Sequence, residues 1–204
     1  MPDEIPTESV TTPRDDATAE SEPVGRAARR SRRRAVVEWG SIIVVALLIS
    51  FLLRTFVIQT FYIPSGSMEP TLMIGDRIIV SKLSVTWGTI HRGDIIVFKH
   101  PPAEHCGEPV TDLVKRVIGL PGNHLTSRGN TIYVNGKPLH QTWSHVEPLG
   151  TPIGNVTVPA NSYFVMGDNQ PDSCDSRFWG FVPRHDIIGK AFLRIWPLSR
   201  FGFL

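Results

Sequence analysis

An arginine-rich segment, Arg26, Arg29, Arg30, Arg32, Arg33 and Arg34, runs directly into an apolar stretch from Val36 to Leu53. This junction constrains the chain more than any other feature. A basic cluster can bind nucleic acid, but beside an apolar run it sets orientation, because short flanks rich in Arg and Lys stay cytoplasmic. The densest apolar part, Ile42 to Leu53, matches a core helix or the centre of a cleavable signal peptide in length. Extended back to Val36, with Glu38 reaching headgroups at the inner end and Arg54 snorkelling at the outer, it suffices for about one span. No small-x-small cleavage signal follows, since Leu53-Arg54-Thr55-Phe56 has the wrong sizes. The segment therefore predicts an uncleaved transmembrane anchor at residues 35–55, with the N-terminus inside.

Residues 1–34 read as a cytoplasmic tail that ends in the arginines. Before them, Asp3, Glu4, Glu8, Asp15, Asp16, Glu20 and Glu22 lie among prolines, threonines and alanines, too few large apolar residues to bury, which predicts disorder. At 204 residues, 41% apolar, the chain leaves room for one globular domain at 56–204; a net charge of +2 says little about partners, and with the arginines read as an orientation signal no nucleic-acid partner is expected. That domain is predicted to be mostly β. Phe56, Ile58, Thr60 and Tyr62 share one parity and Val57, Phe61 and Ile63 the other. β-Branched runs follow at Arg77 to Val80, Ile95 to Phe98 and Leu113 to Ile118. Asn135-Gly136 is a strong hairpin signal between Thr131 to Val134 and Pro138 to Leu139. Further strands are expected at Asn155 to Val158, Tyr163 to Met166 and Ile187 to Ile195, while Phe192 to Leu204 is too polar for a second span.

Chemistry concentrates in three places. In Pro64-Ser65-Gly66-Ser67-Met68-Glu69-Pro70, two prolines restrict the ends of a bend and Gly66 supplies backbone freedom, which suits two hydroxyls held rigidly. A plain junction turn has the same composition. Serine needs a base to become a nucleophile, and the seven histidines sit in loop-like sequence without a G-x-S-x-G or H-E-x-x-H pattern. A lysine is the other known base. Lys115 lies in Asp112-Leu113-Val114-Lys115-Arg116-Val117-Ile118-Gly119, where alternation places it with Leu113 and Val117 and places Arg116 with Val114 and Ile118. On an apolar face its neutral form is favoured; on an edge strand the same cations would only prevent aggregation. The third place is Gly167 to Arg177, where Asp175 and Arg177 are spaced to pair and to present Ser173. A calcium loop fails there, because Ser173 stands where Gly is needed and Trp179 where a carboxylate is needed.

Taken together these segments resemble the type I signal peptidases, membrane-anchored serine-lysine proteases that cleave signal peptides from exported proteins. The resemblance rests on Pro-Ser-Gly-Ser-Met-Glu-Pro-Thr-Leu (64–72), Gly-Asp-Ile-Ile-Val-Phe (93–98), Lys-Arg-Val-Ile-Gly-Leu-Pro-Gly (115–122) and Gly-Asp-Asn…Asp-Ser-Arg-Phe-Trp-Gly (167–180). It implies a fold of two antiparallel sheets behind one transmembrane helix. It also implies Ser67 as nucleophile, Lys115 as general base, Ser173 as the group orienting the lysine, and Ser65 hydroxyl with the Ser67 backbone N–H as oxyanion hole. Asp175 and Arg177 would support the site, and Ile63 and Val114 would border the small substrate pockets. No metal or organic cofactor is implied. The partners would be signal peptides and the bilayer, the protein a monomer, and the location the outer face of a bacterial cytoplasmic membrane.

One departure stands out: Gln170, followed by Pro171, replaces the arginine usual in the family's Gly-Asp-Asn-Arg loop, so that loop's rigidity or a peripheral ion pair is expected to differ. Cys106 and Cys174, the only two cysteines, both lie beyond the anchor, where oxidising conditions favour a disulfide between them. Two unrelated thiols remain the alternative, because sequence separation does not set the Cα distance. Two other functions stay open on the residues alone. A self-cleaving serine-lysine regulator shares the dyad without an anchor, and a membrane-tethered β module would bind envelope partners without catalysis.

Overall fold

The computed structural model describes residues 24–52, 57–104, 106, 110–143 and 148–204, with side chains from residue 36 onward. The acidic stretch before residue 24, Arg54, His105 and His145 lie outside the described residues. Helix α1 spans Val24–Leu52. It takes in the arginine-rich segment assigned above to the tail, and the local reason is composition, since Ala and Arg are strong helix formers. From Val36 to Leu52 its large apolar side chains are exposed, Val44 at 64% and Phe51 at 65%. Among the described residues no helix is long and apolar enough to cross a membrane. Glu38, Gly40 and Ser41 dilute the turn before Ile42. The turns from there to Leu52 cover only about 17 Å against a hydrocarbon core of about 30 Å.

The remaining chain is strand and turn. Its elements are β1 Ile58–Tyr62, β2 Arg77–Ser81, the one-turn helix α2 Leu83–Thr86, β3 Ile95–Lys99, β4 Asp112–Gly119, β5 His124–Arg128, β6 Thr131–Val134 and β7 Lys137–Pro138. There follow β8 Val156–Thr157, β9 Ser162–Met166, the short helix α3 Ser176–Trp179, β10 Val182–Pro183, β11 Ile187–Trp196 and β12 Gly202–Phe203. They form two antiparallel sheets. The larger runs β1-β2-β11-β3-β4-β9-β10 with β12 added on β11, and the smaller runs β7-β6-β5-β8. The β class and the paired sheets agree with the expectation. At Asn135-Gly136 both residues have positive φ, 52° and 77°, and the two-residue turn joins β6 to β7 as its composition demands.

Strand β3 is buried on both faces. Ile96 and Phe98 enter one core with Leu113, Val117 and Val165, whereas Ile95 and Val97 enter another with Ile63, Met68, Leu72 and Val80. This explains why its sequence is a continuous apolar run rather than an alternation. The smaller sheet closes a third core, in which Leu125, Ile132 and Val134 pack with Ile118, Phe164 and Met166. Strands β5, β10 and β12 escape sequence reading. In His-Leu-Thr-Ser-Arg only Leu125 is buried, so β5 exists because it pairs with β6 and β8 rather than through its own propensity.

Gly119 ends β4 where the two sheets meet. A Cβ there would come 2.7 Å from Leu125 Cδ1, 2.9 Å from Val158 Cγ2 and 3.0 Å from Phe164 Cβ. Gly119→Ala is therefore expected to lower the unfolding free energy by about 1–3 kcal/mol through overpacking. Urea denaturation measures this, and a change inside about 0.5 kcal/mol, the ordinary range of a surface substitution, would show that the sheets are not closely packed here.

Candidate active site

The serine bend leaves the sheet at the end of β1 and returns before β2. Its neck is closed by backbone hydrogen bonds from Ile63 N to Asp76 O and from Gly75 N to Ile63 O, both 2.9 Å. Inside, Glu69 N donates to Gly66 O at 3.0 Å and Leu72 N to Met68 O at 2.9 Å, while Met68 and Leu72 are buried in the core. The apolar residues thus pin the bend from beneath. Gly66 does not use the left-handed backbone region. What it supplies is space, since a Cβ there would lie 3.3 Å from the Glu69 carboxyl carbon.

Ser67 is 4% exposed, and Lys115 is fully buried. The Lys115 amine donates to Ser67 Oγ at 2.6 Å, across a sequence separation of 48. Ser65 Oγ lies 3.4 Å from Ser67 Oγ. Lys115 is completely buried rather than an outward-pointing cation, so the aggregation-blocking alternative does not hold. Its strand partner is Ile96, and its same-parity neighbours Leu113 and Val117 belong to the core. A buried amine and hydroxyl at this distance can exchange a proton: when the amine is neutral, Ser67 O–H donates to its lone pair. The histidines do not compete. Among the described residues His91, His140 and His185 are exposed, and no histidine hydrogen-bonds Ser65 or Ser67.

The loop after β9 docks on the bend. Asn169 N donates to Ser67 O at 3.1 Å, and Asn169 Nδ2 donates to Gly66 O at 3.2 Å. Gly167 must lack a side chain, because a Cβ would fall inside the van der Waals envelopes of the Ser67 carbonyl oxygen and of Ser173, whose Cβ would be only 2.7 Å away. Ser173 is 5% exposed, and its Oγ has no hydrogen-bond partner among the described residues. Asp175, fully buried, accepts from Gly167 N at 3.2 Å and pairs with the Arg177 guanidinium through two bonds of 2.8 Å. Arg177 also donates to the carbonyls of Gln170 at 2.6 Å, Ser173 at 3.2 Å and Leu149. Gln170 is buried and donates to Gln141 Oε1 at 2.8 Å, so a neutral amide contact stands where the family's arginine would be. Cys106 and Cys174 are joined as a disulfide with Cα atoms 6.3 Å apart. The bridge connects the segment before β4 to the residue after Ser173. Ile63, Val114, Ser65, Ser67 and Lys115 line one cleft together with Phe61, Tyr62 and Asp112.

Residues 36–196 match the family described as signal peptidase, peptidase S26. The chain belongs to the signal peptidase family. It is 40% identical over 193 residues to the signal peptidase I of Leptolyngbya laminosa, covering 93% of this chain and 95% of that protein. To the Synechocystis protein named "Probable signal peptidase I-2" it is 42% identical over 168 residues, 82% of this chain and 77% of the relative. The signal peptidase I of Mycobacterium tuberculosis is 35% identical over 226 aligned positions, 85% of this chain and 77% of that one. The protein is accordingly an enzyme, a hydrolase of the signal peptidase I kind.

In this signal peptidase, several residues that hold the site were not singled out by sequence. Arg116 and Asp168 form a bidentate pair, Nε to Oδ1 at 2.8 Å and Nη2 to Oδ2 at 2.6 Å, with both side chains buried. Thr71 Oγ1 donates to Asp168 Oδ2 at 2.5 Å, so one carboxylate ties β4, the serine bend and the polar loop together. Arg116 further donates to Gly93 O at 2.7 Å and stacks 5.1 Å from the Trp143 ring centroid. At the far end of the bend Arg194 donates to Thr71 O at 2.6 Å and Arg200 to Pro70 O at 3.0 Å, while Arg200 pairs with Asp76 at 2.9 Å. Burial and the neighbouring Arg200 charge lower the pKa of Arg194, and Asp76 opposes that shift. A signal for the first pair did exist: a cation predicted on an apolar strand face requires a buried anion, and Asp168 lies in the loop already marked for chemistry.

Asp168→Ala would leave the Arg116 guanidinium buried without its carboxylate. The expected loss is about 3–5 kcal/mol of stability, whereas Arg116→Met combined with Asp168→Leu should recover most of it. Denaturant titration of the two single variants and the double variant checks the coupling; additive losses would mean that the pair is not a unit.

Proposed function

We propose that this protein is a membrane-anchored serine endopeptidase that cleaves N-terminal signal peptides from exported precursors after small-x-small motifs, with Ser67 as nucleophile and Lys115 as general base. The observation that carries the reading is the 2.6 Å contact between Lys115 Nζ and Ser67 Oγ, both buried. Complete burial disfavours the ammonium form of lysine and makes the amine a usable base near neutral pH. The Ser67 hydroxyl transfers its proton to Lys115 Nζ as Oγ bonds to the scissile carbonyl carbon. The resulting oxyanion is received by the Ser65 hydroxyl and the Ser67 backbone N–H. Collapse of the intermediate breaks the C–N bond, and the leaving amine takes the proton from Lys115. Water, deprotonated by the same amine, then releases the acyl group and restores Ser67.

Ser173 is assigned to steering the Lys115 amine, supported by its burial, its unpartnered Oγ and its place beside Gly167 and the Ser67 carbonyl. Asp175 and Arg177 support that loop. The substrate enters as an extended strand. β9 pairs with β4 only from Arg116 onward, and β1 is an outer strand of the sheet, so Asp112 to Lys115 and Phe61 to Ile63 offer backbone to a peptide between them. Ile63 and Val114 border the pockets for small side chains. The exposed apolar residues of α1 behind the arginine cluster support a single-pass anchor in a bacterial cell membrane, with Val36 to Leu53 inserted, the N-terminus cytoplasmic and the β domain acting at the outer face. Signal peptides and lipid are the partners, and the enzyme acts as a monomer.

Ser67→Ala and Lys115→Ala are each expected to reduce cleavage of a signal-peptide-bearing precursor more than a thousandfold, with the double variant little worse than either. Mapping the product by mass locates the cut. Retention of over about a tenth of wild-type activity in Lys115→Ala would remove the dyad, since the two groups act as a unit. Carbonate extraction of membranes tests the anchor: the protein should stay in the pellet, and its release to the supernatant would overturn insertion.

A further inference from the structure

The cleft that holds the Ser67 hydroxyl is apolar along most of its wall, with Phe61, Ile63, Met68, Val110, Leu113 and Val114 contributing. One carboxylate interrupts it. Asp112 lines the same cleft at the first position of β4 and is half-buried. Among the described residues it makes no hydrogen bond or ion pair, although its strand partner Lys99 stands directly across from it. Four other carboxylates of the domain are engaged: Asp168 by Arg116, Asp175 by Arg177, Asp76 by Arg200 and Asp94 by Lys190. A half-buried carboxylate left unpaired at the wall of a groove loses hydration without recovering it inside the protein, so it is a group whose partner arrives with the ligand.

Its position selects which part of the ligand that is. Asp112 precedes Lys115 by three residues on one continuous strand, about 10 Å at the rise of an extended chain. A peptide lying along this half of β4, with its scissile bond at Ser67 and Lys115 and its small side chains at Ile63 and Val114, covers the same distance in about three residues. The residue opposite Asp112 is then about the fourth before the cut.

We infer that Asp112 is a specificity-determining residue, favouring precursors that carry a cationic side chain four or five residues before the cut and rejecting those that carry a carboxylate there. The inference rests on the signal-peptide reading of the cleft. Attraction between Asp112 and a lysine lowers KM, and a glutamate at the same place meets a like charge that the apolar wall screens poorly.

The test uses the full-length protein in detergent and two precursors identical except for Lys or Glu at the fourth residue before the cut, with a second pair altered at the fifth. In the wild type the Lys precursor of one pair should have a kcat/KM about fivefold above its Glu counterpart, the scale of a partly exposed charge pair, carried mostly in KM and shrinking with added salt. Asp112→Asn should bring that ratio to about one, Asp112→Lys should invert it, and Asp112→Glu should keep its sign. A ratio reads preference independently of any general loss of activity. Cleavage of both pairs without discrimination by the wild type, or a ratio unchanged in Asp112→Asn, would overturn the role of Asp112 while leaving the peptidase reading intact. Failure of the wild type to cut any of the precursors would remove the peptidase reading and this inference together.

Discussion

The Arg116 guanidinium and the Asp168 carboxylate meet in the interior, and three distant segments depend on that meeting. Arg116 comes from the centre of the larger sheet, Asp168 opens the loop after β9, and Thr71, at the far side of the serine bend, donates to the same carboxylate. A buried ion pair is not a strong source of stability, because desolvation offsets most of the attraction. Its value here is geometric. Two forked hydrogen bonds fix both the distance and the plane of approach, and a loop that failed to dock would strand a charge in the core. The polar loop therefore takes one position against the bend, and the contacts of Asn169 with Gly66 and Ser67 follow from it.

That arrangement allows a lysine to be buried beside it. Lys115 and Arg116 are consecutive, so the strand pleat sends one to each face. The guanidinium finds a carboxylate, whereas the Lys115 amine meets Ser67 Oγ within an apolar surround. The two side chains are thus held differently by construction: the guanidinium pairs with a carboxylate, and the amine is buried against a serine hydroxyl. Burial of both side chains, Lys115 completely and Arg116 nearly so, is what makes the difference between the two residues matter.

A second layer of cations holds the backbone rather than the side chains. Arg177 gathers the carbonyls of Gln170, Ser173 and Leu149, and Arg194 with Arg200 gathers those of Pro70 and Thr71. Loops and bends leave carbonyl groups unpaired by any sheet, and multidentate guanidinium groups satisfy them in numbers that lysine does not reach. The serine bend is consequently held at its neck by the sheet, beneath by Met68 and Leu72, on one flank by Asn169 and at its far end by the C-terminal arginines.

Much of this was legible in the sequence because it is local. The alternation in β1 and β4, the apolar run of β3, the Asn135-Gly136 turn and the residue types of the serine bend are each set by a few neighbouring residues and their backbone preferences. The pairing of Asp175 with Arg177 spans one turn of chain and was readable for the same reason. Strand β5 was not, since its polar sequence becomes a strand only by pairing with β6 and β8, and neither was the helical start of α1, where good helix formers extend into the arginine cluster. The tertiary structure alone decided what depends on distance through space: that Lys115 lies 2.6 Å from a serine 48 residues away, that Asp168 is the counter-charge of Arg116, and that Gly167 is required for the approach of Ser173 to the Ser67 carbonyl. Sequence supplies the residue types and their local geometry, but the register of the larger sheet determines which of them share a site, because a shift of one residue would exchange the faces on which Lys115 and Arg116 lie.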